Sequence, residues 1–573
     1  MQHSYSALLA GLALAAATAA LPTAAHAQAV TAKVQANTVR KHLVYFRDKT
    51  GTPFTVGQPQ AFLSARAVQR RTRQNIAVQP RDLPVTPTYV TQLKAVPGAT
   101  VWYTSRWFNA AVVSCDSATL RNLQALPFVR SATTLNRTAA AGPTPVRPRS
   151  PEDAEEPTQE RTQANPVYGT AYKQALMVGA VAMHNAGFRG EGMQIAVFDD
   201  GFPGVNQTAP FAAMRNENRL ADVYNFVERN TAVYGRDSHG THCLSTMAAS
   251  QTGAFVGTAP KATFRLYLTE NIIGENPIEE VNWLLAAERA DSAGVDVISS
   301  SLGYSTFDTP YGNYAYTDLN GRTAISTRAA ALAARAGMIV VNSAGNEGNN
   351  SWQRILAPAD ADSILAVAAV DSFGARVGFS SIGPSADGRI KPNLAAMGFQ
   401  TAIVNTAGQP TRGSGTSYAC PVLAGMVACF WQANPTLTAQ QVISFLQRSA
   451  SQSAAPNNLL GYGIPNAVAA YTLANPGVPL SAGSSKAITG ELFVYPNPVK
   501  SEELSLQLNA ALQGKQLRVR FYDGRGALVA EQTLPATSAP TVRLQPGPLA
   551  KGVYTCDVTA GDTVRRTVRF IKQ

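Results

Sequence analysis

Between residues 166 and 476 the chain alternates short apolar runs with longer amphipathic ones. Ile195-Ala196-Val197-Phe198 is apolar at every position, and Val295–Ser299 and Met338–Val341 are two further strand-like runs. Glu279–Ala293 and Thr327–Ala336, set among them, read as helices. A strand without a polar face must be covered on both sides. The rhythm therefore predicts an α/β fold, a parallel sheet with helices on both faces.

The flanks have other patterns. Residues 28–138 predict a small α+β unit. Its expected strands are His42–Phe46, Thr100–Trp107, Ala110–Ser114 and Phe128–Thr133. Its expected helices are Gln60–Asn75, with a basic face, Tyr89–Ala95, and Ser117–Leu126, which Pro127 stops. Residues 139–165, rich in Pro and acidic side chains and without apolar periodicity, read as a linker open to proteolysis. After a second linker, 477–489, residues 490–573 alternate apolar and polar positions, as at Leu504, Leu506 and Leu508, and predict a small all-β sandwich. The first 27 residues read as an export signal, with an apolar run from Leu8 to Leu21 and an Ala25-His26-Ala27 cleavage pattern. That run is too short to span a bilayer.

Composition changes the picture at two points. The formal net charge is +12. Residues 28–150 hold 17 Lys/Arg against 3 Asp/Glu, and residues 480–573 hold 12 against 7, so the middle of the chain is net negative. With no basic helix or aromatic stacking motif, this distribution does not describe a nucleic-acid binder. Five cysteines spread over 573 residues are not a disulfide framework. Cys420 and Cys429 lie about half a turn out of phase on one predicted helix and cannot pair with each other. A Cys243–Cys420 bridge stays open.

Three local patterns carry candidate chemistry. Ile195-Ala196-Val197-Phe198-Asp199-Asp200-Gly201 puts a carboxylate at the end of a buried strand. Ser238-His239-Gly240-Thr241-His242 opens a helix, as does Gly413-Ser414-Gly415-Thr416-Ser417-Tyr418-Ala419-Cys420-Pro421. A serine hydroxyl becomes a nucleophile only beside a base, and that base needs an acceptor to hold its tautomer. Strand ends and helix starts of an open α/β sheet converge on the crevice at its carboxyl edge.

These motifs, in this order, resemble those of the subtilisin-like serine proteases, and the resemblance covers residues 166–476. It implies that Asp199 orients the imidazole, His239 acts as base and then acid, and Ser417 attacks the carbonyl. Val341-Asn342-Ser343-Ala344-Gly345-Asn346-Glu347-Gly348 is similar to the segment that supplies the oxyanion-hole asparagine, here Asn346. Ser301-Leu302-Gly303 looks like the strand that pairs with substrate backbone. No cofactor is implied for catalysis, and calcium sites are left open. His242 is read as structural. Asp200 departs from the Ser or Thr usual after the aspartate, and the second carboxylate is expected to raise one pKa of the pair if both are buried. Cys243, which has a counterpart in the proteinase K branch, is either a thiol near the site or a small core residue, with the second reading preferred.

Residues 28–138 resemble a subtilisin propeptide, which implies a folding aid and inhibitor that is later removed; their charge suits docking on a more acidic partner. Val494-Tyr495-Pro496-Asn497-Pro498-Val499, Val519-Arg520-Phe521-Tyr522-Asp523-Gly524-Arg525-Gly526, Gly552-Val553-Tyr554 and the basic end Val568-Arg569-Phe570-Ile571-Lys572 resemble the sorting domain of type IX secretion substrates in Bacteroidota. The expectation is a secreted or surface-attached serine endopeptidase acting on proteins or peptides, with its own propeptide and the type IX machinery as partners. The competing expectations are an inactive surface-binding protein on a protease scaffold and, less favoured for want of a strand-borne G-x-S-x-G elbow, an esterase.

Overall fold

The computed structural model describes residues 38–136, 165, 167–480, 493–495, 499, 502–508, 512–524, 527–539, 541–560 and 564–573. The expected export signal lies outside these residues, as do nearly all of the 139–165 linker and residues 481–489 of the second one. The described chain falls into two compact units that divide between Leu480 and Ser481.

The first unit begins with four antiparallel strands, β1 (Arg40–Phe46), β2 (Thr100–Ser105), β3 (Ala110–Cys115) and β4 (Val129–Thr134), in the order β2-β3-β1-β4. Three helices accompany them: α1 (Ala65–Arg73), α2 (Pro87–Ala95) and α3 (Ser117–Gln124). Alternation decides what each face covers. Val44 and Phe46 of β1 pack with Leu93 and Leu123 of α2 and α3. Leu43 and Tyr45 point the other way, into a second apolar cluster.

The helix expected over Gln60–Asn75 is shorter. Pro59–Ala61 is a single 3-10 turn, and α1 starts only after Ser64, whose hydroxyl accepts from Ala67 N at 3.1 Å. A serine side chain that satisfies a first-turn N–H makes a new helix start inside the apparent pattern. The basic face expected for this helix is only partly open to water: Arg70 and Arg71 are buried, whereas Arg66 and Arg73 stay partly exposed.

The larger part of the unit is a seven-stranded sheet in which every neighbouring pair is parallel. Its strands are β5 (Gln194–Asp199), β6 (Leu220–Asn225), β9 (Thr263–Leu268), β10 (Val297–Ser300), β11 (Ile339–Ser343), β12 (Leu365–Val370) and β13 (Leu394–Met397). Two short hairpins stand apart, one of β7 (Ser250–Gln251) and β8 (Phe255–Val256), the other of β14 (Thr401–Val404) and β15 (Pro410–Gly413). The order β13-β12-β11-β10-β5-β9-β6 reverses direction at β5 and β10. Ligand crevices of open α/β sheets form outside the carboxyl ends of strands at such a point.

Helices cover both faces. The remaining helices are α4 (Tyr172–Met177), α5 (Ala180–Asn185), α6 (Ala212–Asn216), α7 (His239–Ala248), α8 (Ile278–Ala293), α9 (Ile325–Arg335), α10 (Thr416–Ala433), α11 (Ala439–Arg448) and α12 (Ala467–Ala474). Ile195 and Val197 pack with α7 and α10, whereas Ala196 and Phe198 pack with α8 and α9. The cluster on that second face also takes in Leu43, Tyr45, Trp107, Phe108 and Val112, so the small antiparallel sheet shares its core with α8 and α9.

Gly425 shows how closely α10 passes its neighbours: a Cβ there would lie 2.1 Å from Thr258 Oγ1. Alanine normally gains about 1 kcal/mol over glycine inside a helix, but overpacking here costs about 1–3 kcal/mol. The clash wins, so Gly425→Ala is expected to lower the thermal midpoint in a calorimetric scan.

The second unit is all-β. Two antiparallel sheets, one of β16 (Phe493–Tyr495), β17 (Leu504–Gln507) and β20 (Thr541–Leu544), the other of β18 (Leu517–Tyr522), β19 (Leu528–Leu534), β21 (Gly552–Ala560) and β22 (Val564–Lys572), close on one core. Leu504, Leu506, Val519, Phe521 and Phe570 fill it, as alternation along the strands requires. Pro496, Asn497 and Pro498 of the motif, and Arg525 and Gly526, lie outside the described residues.

Candidate active site

β5 ends on Asp199, which is fully buried. Its Oδ1 accepts from His239 Nδ1 at 2.7 Å and from Asp200 N at 3.0 Å. His239 is the first residue of α7, so the helix start sets the ring over the strand end. With Nδ1 donating to the carboxylate, Nε2 is left as the basic nitrogen. Burial works against the imidazolium, but the charge of Asp199 outweighs it, aided by Cys243 and by hydrogen bonds to both; the His239 pKa stands well above the ordinary imidazole value. Gly240 allows the approach: a Cβ there would sit 2.3 Å from Gly201 O and 2.9 Å from Asp199 Cβ.

Asp200 behaves as its position beside Asp199 leads one to expect. Desolvation first, and then the charge of Asp199, hold its carboxyl well above the usual carboxylate range. Its Oδ1 faces Gly240 N at 3.4 Å.

Ser417 is the second residue of α10 and is 7% exposed. Its carbonyl accepts from Ser301 Oγ at 2.7 Å and from Cys243 Sγ at 3.4 Å. Cys243 lies one turn beyond His239 on α7, with its sulfur 3.8 Å from each ring nitrogen. The next residue of α10, Tyr418, has its ring 6.0 Å from that of His239. The carboxylate, imidazole and serine are thus gathered at the carboxyl edge of the sheet, from positions 40 and 178 residues apart. Among the described residues, the Ser417 hydroxyl makes no hydrogen bond to the ring.

Asn346 follows β11, and its Oδ1 accepts from both Thr416 N and Thr416 Oγ1, each at 2.9 Å. Gly345 N in turn donates to Thr416 Oγ1 at 3.2 Å. Because the amide oxygen is committed to Thr416, the Asn346 NH2 is the donor left to serve the site. Thr416 was not singled out from the sequence. Its only signal was its place between Gly415 and Ser417.

Ser301-Leu302-Gly303 continues β10 past its last residue. Ser301 and Leu302 are buried and Gly303 is half-buried. The Leu302 carbonyl is taken by Asn342 Nδ2 at 3.0 Å. Backbone groups alternate in direction along an extended chain, so Ser301 and Gly303 face the opposite side from that contact.

The cysteine questions are answered by burial. All five cysteines are free thiols, so Cys243 and Cys420 are not bridged. Burial pushes the Cys243 thiol up to about 11 and the Cys420 thiol up to about 12. Cys243 is both a core residue and a neighbour of the imidazole. Asp199, His239 and Cys243 offer ligand atoms within 4.8 Å of one another, but the first two already bond to each other.

Residues 190–463 match the subtilase family. Residues 41–149 match the peptidase S8 propeptide domain of Bacteroidota. Residues 493–573 match the secretion system C-terminal sorting domain. Subtilisin from Bacillus pumilus is 31% identical over 280 residues, 48% of this chain and 89% of that protein. Subtilisin NAT from Bacillus subtilis subsp. natto is also 31% identical, over 48% of this chain and 64% of that protein. Among solved structures, the MycP3 protease from the type VII (ESX-3) secretion system aligns with a TM-score of 0.43 and 22% identity, over 54% of this chain and 89% of that one. A fold with a parallel seven-stranded sheet, its motif order and a 31% identity that spans 89% of the Bacillus pumilus enzyme lead to one conclusion: this chain belongs to the subtilase family.

Proposed function

We propose that this protein is a secreted serine endopeptidase, made with an inhibitory propeptide, that hydrolyses peptide bonds in proteins through an acyl-enzyme on Ser417. The observation that carries the reading is the 2.7 Å bond between a buried carboxylate and the Nδ1 of an imidazole, which makes its Nε2 the basic nitrogen, beside a serine that opens a helix. Hydrogen bonds to the nucleophile are commonly long before substrate binds. A small movement of the Ser417 side chain on binding is part of the proposal.

In this mechanism His239 Nε2 takes the Ser417 proton as Oγ attacks the scissile carbonyl. The developing oxyanion is held by Asn346 Nδ2 and Ser417 N. Of the first N–H groups of α10, Thr416 N is bound to Asn346 and Tyr418 N to Gly415 O, which leaves Ser417 N for the oxyanion. The imidazolium, stabilised by Asp199, then protonates the leaving amine. A water follows the same path to release the acyl group. Substrate lies extended along Ser301 and Gly303, so that backbone supplies affinity and side chains supply preference. The C-terminal sorting domain takes the protein through the type IX machinery, and the propeptide keeps it silent until it is cut away.

The test is whether secreted, processed protein degrades unfolded casein and is blocked by a serine-directed sulfonyl or phosphonate reagent. Failure of both, with a correctly folded protein, would leave the inactive binding scaffold as the better reading. A finer expectation concerns Asn346. Asn346→Ala lowers kcat by about 10²–10³-fold, the loss seen when subtilisin itself is deprived of this donor. KM should change little in steady-state assays, because the donor meets charge that exists only in the transition state.

A further inference from the structure

The two catalytic-domain helices α8 and α9 end in Gly294 and Gly337, with φ of +84° and +89°. The last carbonyls of a helix have no intrahelical partner, and the helix dipole makes that end partly negative. The local caps satisfy part of each end, and α1 and its flanks donate to carbonyls at and just beyond it. Ser64 N donates to Ser292 O at 2.9 Å, and Arg66 Nε to Gly294 O at 2.9 Å. Arg70 donates to Val295 O and, at 3.3 Å, to Ala336 O. Gln74 donates to Gly337 O at 2.8 Å, while its Oε1 accepts from Ala439 N, the first residue of α11, at 2.8 Å.

At the centre is Asp291, whose side chain is fully buried. Arg70, Arg71 and Arg106 all donate to its two oxygens, and their side chains are 1%, 3% and 9% exposed. Arg71 is also paired with Asp82 at 3.3 Å. Beside it Glu288 accepts from Arg106 N at 3.0 Å and Trp107 N at 3.1 Å. Arg66 reaches Asp296 at the rim. A Cβ on Gly294 would come within 2.8 Å of Ala67 N, so α1 lies directly against the helix end.

We propose that α1 and Arg106 form an arginine clamp: Asp291 and the carboxyl-terminal ends of α8 and α9 are a binding site for closely set guanidinium groups. This site, rather than the apolar sheet face or the general basic charge of the propeptide, sets how long the propeptide stays on the catalytic domain. The inference rests on reading residues 28–138 as a propeptide that is cut from the rest. A buried carboxylate shared by three guanidiniums is screened far less by salt than surface charge is. Removing its partners leaves that charge uncompensated, a loss of about 3–5 kcal/mol when one side of such a pair is deleted, which corresponds to about 10²–10⁴-fold in a rate or equilibrium.

The experiment uses the full chain with Ser417→Ala, so it needs no activity. A cleavage site for an outside protease is placed in the 139–165 linker and cut, and release of the N-terminal fragment is followed by size exclusion. The fragment is expected to stay bound in both physiological salt and about 1 M NaCl, where the Debye length is only about 3 Å. With Arg70→Met and Arg71→Met together, release is expected to be about 10²–10⁴-fold faster. Tyr103→Phe, which removes a 2.9 Å bond from the sheet to Phe226 O, serves as the comparison and should change release less than tenfold. Release of the unsubstituted fragment at high salt, or a double-variant rate within tenfold of the parent, overturns the clamp. If the double variant does not fold, Arg66→Ala at the half-exposed rim is read instead: release several times faster supports the clamp, and an unchanged rate overturns it. Retention by the inert chain, with no proteolysis by the processed wild type, would sink the peptidase reading and leave the clamp standing.

Discussion

Replacing Ser417 by alanine is expected to lower kcat on a peptide substrate by about 10⁶-fold, the size of loss that the same change causes in subtilisin. The neighbouring thiol does not take over. Cys243, the nearest sulfur, is held as a thiol by burial that pushes its pKa up to about 11, and it donates toward the Ser417 carbonyl. The residual rate would come from Asn346 and substrate binding alone. The fold should not suffer. It is the Ser417 carbonyl, not its hydroxyl, that Ser301 and Cys243 hold in place. The expected outcome is therefore an unchanged thermal midpoint, turnover reduced to that residual rate and, by intact mass, a chain that keeps its propeptide. Turnover within tenfold of wild type would remove Ser417 from the mechanism.

The second large effect is Asp199→Asn, expected to lower kcat by about 10⁴-fold with little change in KM. The reason is geometric. An amide in this place can present NH2 to Nδ1, which favours the tautomer whose Nε2 carries the proton and cannot act as base. There is also a pH signature. Neutral imidazole is the active form, so activity appears as pH rises through the His239 pKa. That pKa stands well above the ordinary value because Asp199, with help from Cys243, overcomes a burial effect of opposite sign. Without the charge, burial prevails and the acid limb of the kcat/KM profile moves to lower pH. A limb that stays where it was would mean that Asp199 is not what holds the imidazole pKa up.

Much of this site was legible in the chain because its parts are local. A carboxylate after an apolar strand, and a histidine and a serine each opening a helix, need only neighbours within a few residues. The sheet was legible for a similar reason, since Ile195–Phe198 lacks a polar face and had to be covered on both sides. The helix expected over Gln60–Asn75 was misjudged at its start, where Ser64 offers a cap that periodicity does not register.

What the sequence alone determined, then, is the set of reactive groups, their order, and the class of fold that can gather them, because local hydrogen bonding and hydrophobic period specify strands, helix starts and turns. Only the tertiary structure decided which long-range pairs form. Thr416 turns the Asn346 amide, Cys243 sits against the imidazole, and three arginines close on Asp291 across more than 180 residues of chain. Such contacts depend on the packing of distant surfaces. A buried charge or amide can take any partner that reaches it, and the order of residues does not say which one will.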